Sequence, residues 1–129
     1  MKKPKLKIKV FKEDSGYSAS TNVNDNFIAT VGETYEELKE NVLEAINFTF
    51  LNDGLEFNLD EIQFEFDLAS FFHFYKVINA KALSERIGMN QSLLAQYITG
   101  IKKPSGKQTK RILDGVQQIG RELTEVKIL

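Results

Sequence analysis

The hydropathy period of this chain switches between two and roughly 3.6, and each switch limits what the local backbone can become. In "KLKIKVF", residues 5–11, Leu6, Ile8 and Val10 alternate with lysines, the period that puts successive side chains on opposite faces of a strand. It returns after "DSGY", where Tyr17, Ala19, Thr21 and Val23 alternate with Ser18, Ser20 and Asn22, and again after "NDN" in Phe27, Ala29 and Val31. Three antiparallel strands joined by tight turns are expected. Between Thr34 and Asn52 the spacing becomes helical, with Leu38, Val42, Ala45, Ile46 and Thr49 on one side, and Thr34-x-x-Glu37 supplies a capping box. Glu36, Glu37, Glu40 and Glu44 crowd the early turns, where the helix dipole favours negative charge. Ile62, Phe64, Phe66 and Leu68 then alternate with Gln63, Glu65 and Asp67 as a fourth strand. From Ser70 to about Glu122 the pattern stays helical, broken at 78–79, 88–90 and 100–106, which predicts four short helices. Residues 124–129 are the candidate for an extra strand. The expected fold class is α+β: a βββαβ domain over 1–69, then an all-α domain over 70–129.

Charge divides along the same line. Residues 20–67 hold twelve acids and one base, Lys39, a balance of −11, whereas residues 76–111 hold eight bases and one acid, Glu85, a balance of +7. The whole chain carries only −1. Two modules of opposite sign are suited to different partners. With no cysteine, disulfides, thiolate zinc sites and thiol catalysis are excluded, which fits a reducing compartment such as the cytoplasm. No apolar run approaches the ~20 residues that span a bilayer, and the opening "MKKPKLKIKV" interleaves Lys with Leu, Ile and Val. Neither a signal peptide nor a membrane anchor is expected.

Within the basic part, "NAKALSERIGMNQSLLAQYITG" holds two short helical patterns around a glycine. Asn79 can cap the first, with Ala82, Leu83 and Ile87 as its buried stripe, and Gly88 closes it because a tight turn needs a left-handed backbone. Asn90 can cap the second, with Leu94 and Ile98 inward and Gln91, Ser92, Gln96 and Tyr97 on or near the outer side. Helix, four-residue turn, helix is a helix-turn-helix, whose second helix enters the major groove. Gln can pair with adenine through two hydrogen bonds, and Ser can bond several bases. The following "IKKPSGK" offers lysines and backbone donors suited to phosphates. Asn90, Gln91, Ser92, Gln96, Tyr97 and Thr99, with Lys102, Lys103 and Lys107, form the candidate DNA-binding set.

Residues 79–122 resemble the lambda-repressor-like helix-turn-helix family, with "GMNQS" matching its turn and recognition-helix start. The resemblance implies base contacts from Gln91 and Ser92 and phosphate contacts from Lys102 and Lys103. Residues 5–68, with "EDSGYSAS" and then "GETYEELKENVLEAI", resemble the HicB antitoxin family, and Gly32-x-Thr34-x-x-Glu37 is the sharpest element of that likeness. It implies a partial ribonuclease-H-like domain that covers a small basic HicA-like ribonuclease toxin, joined to a C-terminal module that represses the shared operon. One such helix reads only a few base pairs, so a homodimer or higher homo-oligomer on a palindromic operator is expected, with its contact in the C-terminal helix or the tail.

Other readings are weaker. Ribonuclease-H chemistry uses clustered acids to hold two metals, but Glu36, Glu37, Glu40 and Glu44 are accounted for by capping and solubility, and Glu65 and Asp67 by an outward strand face. His73, inside "FFHFY", suits packing better than catalysis. No catalytic residue, metal or cofactor is expected. A stand-alone repressor whose N-terminal domain senses a ligand is the alternative function.

Overall fold

The protein, described over residues 2–129 by a computed structural model, combines a four-stranded mixed sheet with five α-helices. The chain divides after Phe74 into two compact units. Among the described residues, no helix is long and apolar enough to cross a membrane.

In the first unit, β1 (Leu6–Lys12), β2 (Tyr17–Val23) and β3 (Asn26–Gly32) form an antiparallel meander. Helix α1 (Tyr35–Thr49) then crosses over, and β4 (Ile62–Phe66) returns parallel to β1, giving the order β3-β2-β1-β4. Asn24 and Asp25, with φ of 48° and 65°, make the two-residue turn between β2 and β3, a conformation these residue types tolerate best after glycine. One sheet face carries Leu6, Ile8, Val10, Ala19, Ile28 and Ile62, and α1 covers it with Leu38, Val42 and Ile46, all buried. Phe50 and Phe57 extend this core, their ring centroids 5.4 Å apart. Asn47 holds the segment beneath, since its side chain accepts from the Phe57 nitrogen (2.7 Å) and donates to the Phe57 carbonyl (3.2 Å). Two backbone groups near the core are thereby paired without a strand.

The entry into α1 explains the Gly32-x-Thr34-x-x-Glu37 pattern. Thr34 Oγ1 accepts from the Glu37 nitrogen (3.1 Å), while the Glu37 carboxylate reaches back to the Glu33 nitrogen (3.4 Å), one residue before the reciprocal partner of a complete capping box. Gly32 is needed for packing, because a Cβ there would lie 2.6 Å from the Leu38 nitrogen.

In this unit the covered face of β3 is now fixed, and two expectations, for the α1 stripe and for Leu68, are corrected. The inward face of β3 carries Ile28 and Gly32, and Phe27, Ala29 and Val31 are exposed; the period of two identifies a strand without saying which face is covered. The α1 stripe runs Leu38, Val42, Ile46, Phe50, with Ala45 and Thr49 only half-buried at its margin. Leu68 starts a helix, α2 (Leu68–Phe74), because the Asp67 carboxylate accepts from the Ser70 nitrogen at 3.1 Å. This helix lies in the first unit: Phe74 stacks within 4.8 Å of the Tyr17, Tyr35 and Phe66 ring centroids, and buried Ser70 accepts from the Lys12 nitrogen at 2.9 Å. The division therefore falls after Phe74 rather than after Ala69.

The second unit holds α3 (Ala80–Ile87), α4 (Gln91–Thr99) and α5 (Gly106–Glu125) around buried Leu83, Met89, Leu94, Tyr97 and Ile112. Ser84 is buried where Ala82 was expected to be, its hydroxyl donating to the Lys81 carbonyl at 2.6 Å, and Ala82 is exposed. The last helix is 20 residues long rather than short, and no strand follows it. Its length is supported by α3, whose Arg86 guanidinium grips the Glu122 carboxylate (3.0 and 2.6 Å) and holds that carboxyl below its ordinary pKa. Gly115 lets the two helices touch: a Cβ there would overlap Ile87 Cγ2, whereas one at Gly120 meets open space. Gly115→Ala is therefore expected to lower unfolding free energy by about 1–3 kcal/mol through overpacking. Gly120→Ala should raise it by about 0.5–1 kcal/mol through helix propensity, and urea denaturation of both variants measures the opposite signs.

Candidate nucleic-acid interface

Hydrogen bonds at both helix ends define the turn from α3 to α4 and fix where α4 begins. Asn79 caps α3 by accepting from the Ala82 nitrogen at 2.9 Å. At the other end Gly88 is left-handed (φ 69°, ψ 30°); its N–H donates to the Glu85 carbonyl (3.3 Å), and that of Met89 donates to the Ser84 carbonyl (2.9 Å). These are the two bonds of a Schellman motif, and the buried Met89 side chain supplies its apolar partner. Asn90 then caps α4 at once, its Oδ1 accepting from the nitrogens of Ser92 (2.8 Å) and Leu93 (3.2 Å). Three residues, Gly88 to Asn90, separate the helices, one fewer than the spacing suggested.

Arg111, from α5, closes this turn from outside. Its guanidinium donates to the Ile87 carbonyl (3.2 and 2.8 Å) and to the Gly88 carbonyl (2.7 Å). Those acceptors are at the C-terminal end of α3, where a cation also meets the negative end of the helix dipole. Arg111 thus serves the turn, and Lys110 pairs with Asp114 at 2.8 Å.

The polar set divides clearly. Gln91 and Ser92 stand exposed on the first turn of α4, and among the described residues no group hydrogen-bonds to their side chains. Gln96 is half-buried, and Thr99 is exposed with its hydroxyl donating to the carbonyls of Ala95 (3.0 Å) and Gln96 (3.4 Å). Tyr97 is corrected: at 9% exposure it lies on the inward face beside Leu94, so it leaves the set. Ile98, expected inward, is half-buried. Ala95, not expected at the surface, is exposed one turn after Gln91 and one before Thr99. Its i, i+4 spacing was the available signal, and its methyl offers a flat apolar contact between polar neighbours.

After α4, Gly100 is left-handed (φ 82°) and the Lys102 nitrogen donates to the Gln96 carbonyl at 3.2 Å, so the loop folds back against the helix end. Ser105 caps α5, its hydroxyl accepting from the Gln108 nitrogen at 3.2 Å. Lys102, Lys103 and Lys107 are exposed and, among the described residues, make no ion pair. Unpaired cations beside a helix N-terminus can hold phosphate, and a free carboxamide on an outward helical turn can donate to and accept from one base edge.

Three of the acids weighed as metal ligands have other duties. Glu36 pairs with Lys39 (3.0 Å), Glu37 turns back to Glu33, and Asp67 caps α2. Among the described residues, no three His, Cys, Asp or Glu side chains gather as a metal site. His73 sits 6.1 Å from Tyr17 and 6.4 Å from Phe74, ring to ring.

No family model, no curated protein and no solved structure matches the chain. Asn90→Ala should cost about 1 kcal/mol of stability, because two amide donors at the start of α4 lose their acceptor. The check is urea denaturation beside Asn90→Asp, which keeps the acceptor and should stay near the parent.

Proposed function

We propose that the chain is a DNA-binding antitoxin of the HicB type. In this reading its first unit is a partial ribonuclease-H-like domain that neutralises a small, basic HicA-like toxin. Its second unit is a lambda-repressor-like helix-turn-helix that represses the shared operon in the cytoplasm. The observation that carries the DNA half is the start of α4, where Gln91 and Ser92 are exposed and, among the described residues, no group hydrogen-bonds to their side chains; the loop after α4 adds Lys102, Lys103 and Lys107, exposed and without an ion pair among the described residues. Charge supports the division of roles. Residues 75–129 hold ten bases and four acids (+6), and residues 1–74 hold seven bases and fourteen acids (−7). Phosphate is attracted to one unit and repelled by the other.

The protein is not an enzyme in this account; it blocks one by covering its cationic RNA-binding surface, and steering between opposite charges speeds the encounter. A homodimer on a palindromic operator follows from the few base pairs that one helix reads. The apolar residues that α5 and the tail leave in solvent, Leu113, Leu123 and Val126, favour such a contact.

The DNA roles are tested by two substitutions. Gln91→Ala should weaken operator binding by ~1–3 kcal/mol and leave random duplex unchanged. Lys103→Ala should weaken both and reduce the salt slope by about one unit. Equal losses on operator and random duplex for Gln91→Ala would contradict its role. The toxin half is tested by co-expression with the neighbouring reading frame: a small basic protein should co-purify, and a DNA response to a metabolite without such a partner would favour a stand-alone repressor.

A further inference from the structure

Strand β3 is an end strand of the sheet, paired to β2 alone. Because Asn24 and Asp25 form a two-residue turn, Val23 and Asn26 are the hydrogen-bonded closing pair, and ladder bonds recur at every second residue. The backbone groups of Phe27, Ala29 and Val31 therefore point away from the sheet. The Asn41 side chain, which donates to the Val31 carbonyl at 2.8 Å from the far side, agrees with that phase. End strands are commonly blunted by Lys, Pro or a bulge, yet "NFIATVG" contains no Lys or Pro and pairs with β2 without a break. Its outer side chains Phe27 and Val31 are 68% and 67% exposed. On the α1 side, the same edge borders a groove of about 330 Å³ lined by Thr30, Asn41, Glu44, Ala45 and Phe48.

We propose that the β3 edge receives an extended cationic segment of another protein as a fifth strand. Alternate side chains of an added strand fall on opposite faces. On one face, basic side chains enter the groove, their stems over Phe48 and their charge at Glu44. On the other, apolar side chains cover Phe27 and Val31. Charge selects this occupant. The surrounding residues 20–67 carry −11, and their one base, Lys39, is already paired with Glu36. A second copy would bring two units of −7 together at this edge, and like net charges repel. The inference rests on the acidic unit being the binder of a cationic protein, and it supplies the surface.

The test uses the full chain and an acetylated heptapeptide alternating Val and Lys, followed by amide chemical shifts and hydrogen exchange. Saturable binding with slowed exchange at Phe27, Ala29 and Val31 is expected. Glu44→Lys should weaken it about tenfold by reversing the groove charge. Ala29→Pro should also abolish it, since only an outward N–H is lost; should that variant disturb the sheet, Phe27→Lys with a native spectrum takes its place. Unchanged binding to Glu44→Lys, equal binding of a peptide with Glu for Lys, or protection elsewhere in the chain would overturn the proposal. So would slowed exchange at the same amides with rising protein concentration alone, which would assign the edge to a second copy. Peptide binding without a co-purifying neighbour would refute the antitoxin reading and leave the edge site standing, and the reverse result would refute the edge site.

Discussion

Each unit is built around one point where a helix comes closer to its neighbour than a side chain would allow. Gly32 admits the backbone of Leu38, and Gly115 admits Ile87. The first contact seats α1 across the sheet, so that Leu38, Val42, Ile46 and Phe50 bury against Val10, Ala19 and Ile28. It also leaves Asn41, Glu44 and Phe48 lining the flank of β3. The second contact brings α5 onto α3, within reach of Arg111 to the Ile87 and Gly88 carbonyls. That grip, with the Schellman bonds at Gly88, sets the direction in which α4 leaves the turn. Both candidate surfaces are consequences of how a helix is seated, not of loops shaped independently.

Element order was readable from residues because each strand keeps a period of two and four of the five helices open on a Ser, Thr or Asn cap: Thr34, Asn79, Asn90 and Ser105 all accept from backbone donors. Which face is covered was less readable. In β3 the apolar Phe27 and Val31 face out, while Ile28 and the small Gly32 face in, Gly32 because α1 leaves no room there for a side chain. In α4 the aromatic Tyr97 shares the inward side with Leu94, although its hydroxyl makes it look polar in a sequence. Arg111 resembled one more cation in a basic run; only coordinates reveal that its partners are carbonyls 23 and 24 residues earlier. The boundary after Phe74 was hidden for a similar reason, since a change of period marked the start of α2 but not the aromatic contacts that hold it to the sheet.

Opposite charge then suits the two units to different kinds of partner. At −7 the first unit repels the polyanion that the second, at +6, attracts. In the proposed function, nucleic-acid contact is accordingly assigned to the capped start of α4 and the lysine loop, and protein contact to the acidic unit. Near-neutrality of the whole chain conceals the arrangement, which depends on where the charges lie and not on their sum.

The most direct measurement is an amide-shift titration of the full chain with a random-sequence duplex at low salt, where base-specific contacts are absent and electrostatics dominate. The account predicts saturable shifts at Gln91, Ser92 and Lys102 to Lys107 that fade as salt is raised, with β3 and α1 unmoved. Shifts centred on β3 or α1, or shifts indifferent to salt, would contradict it.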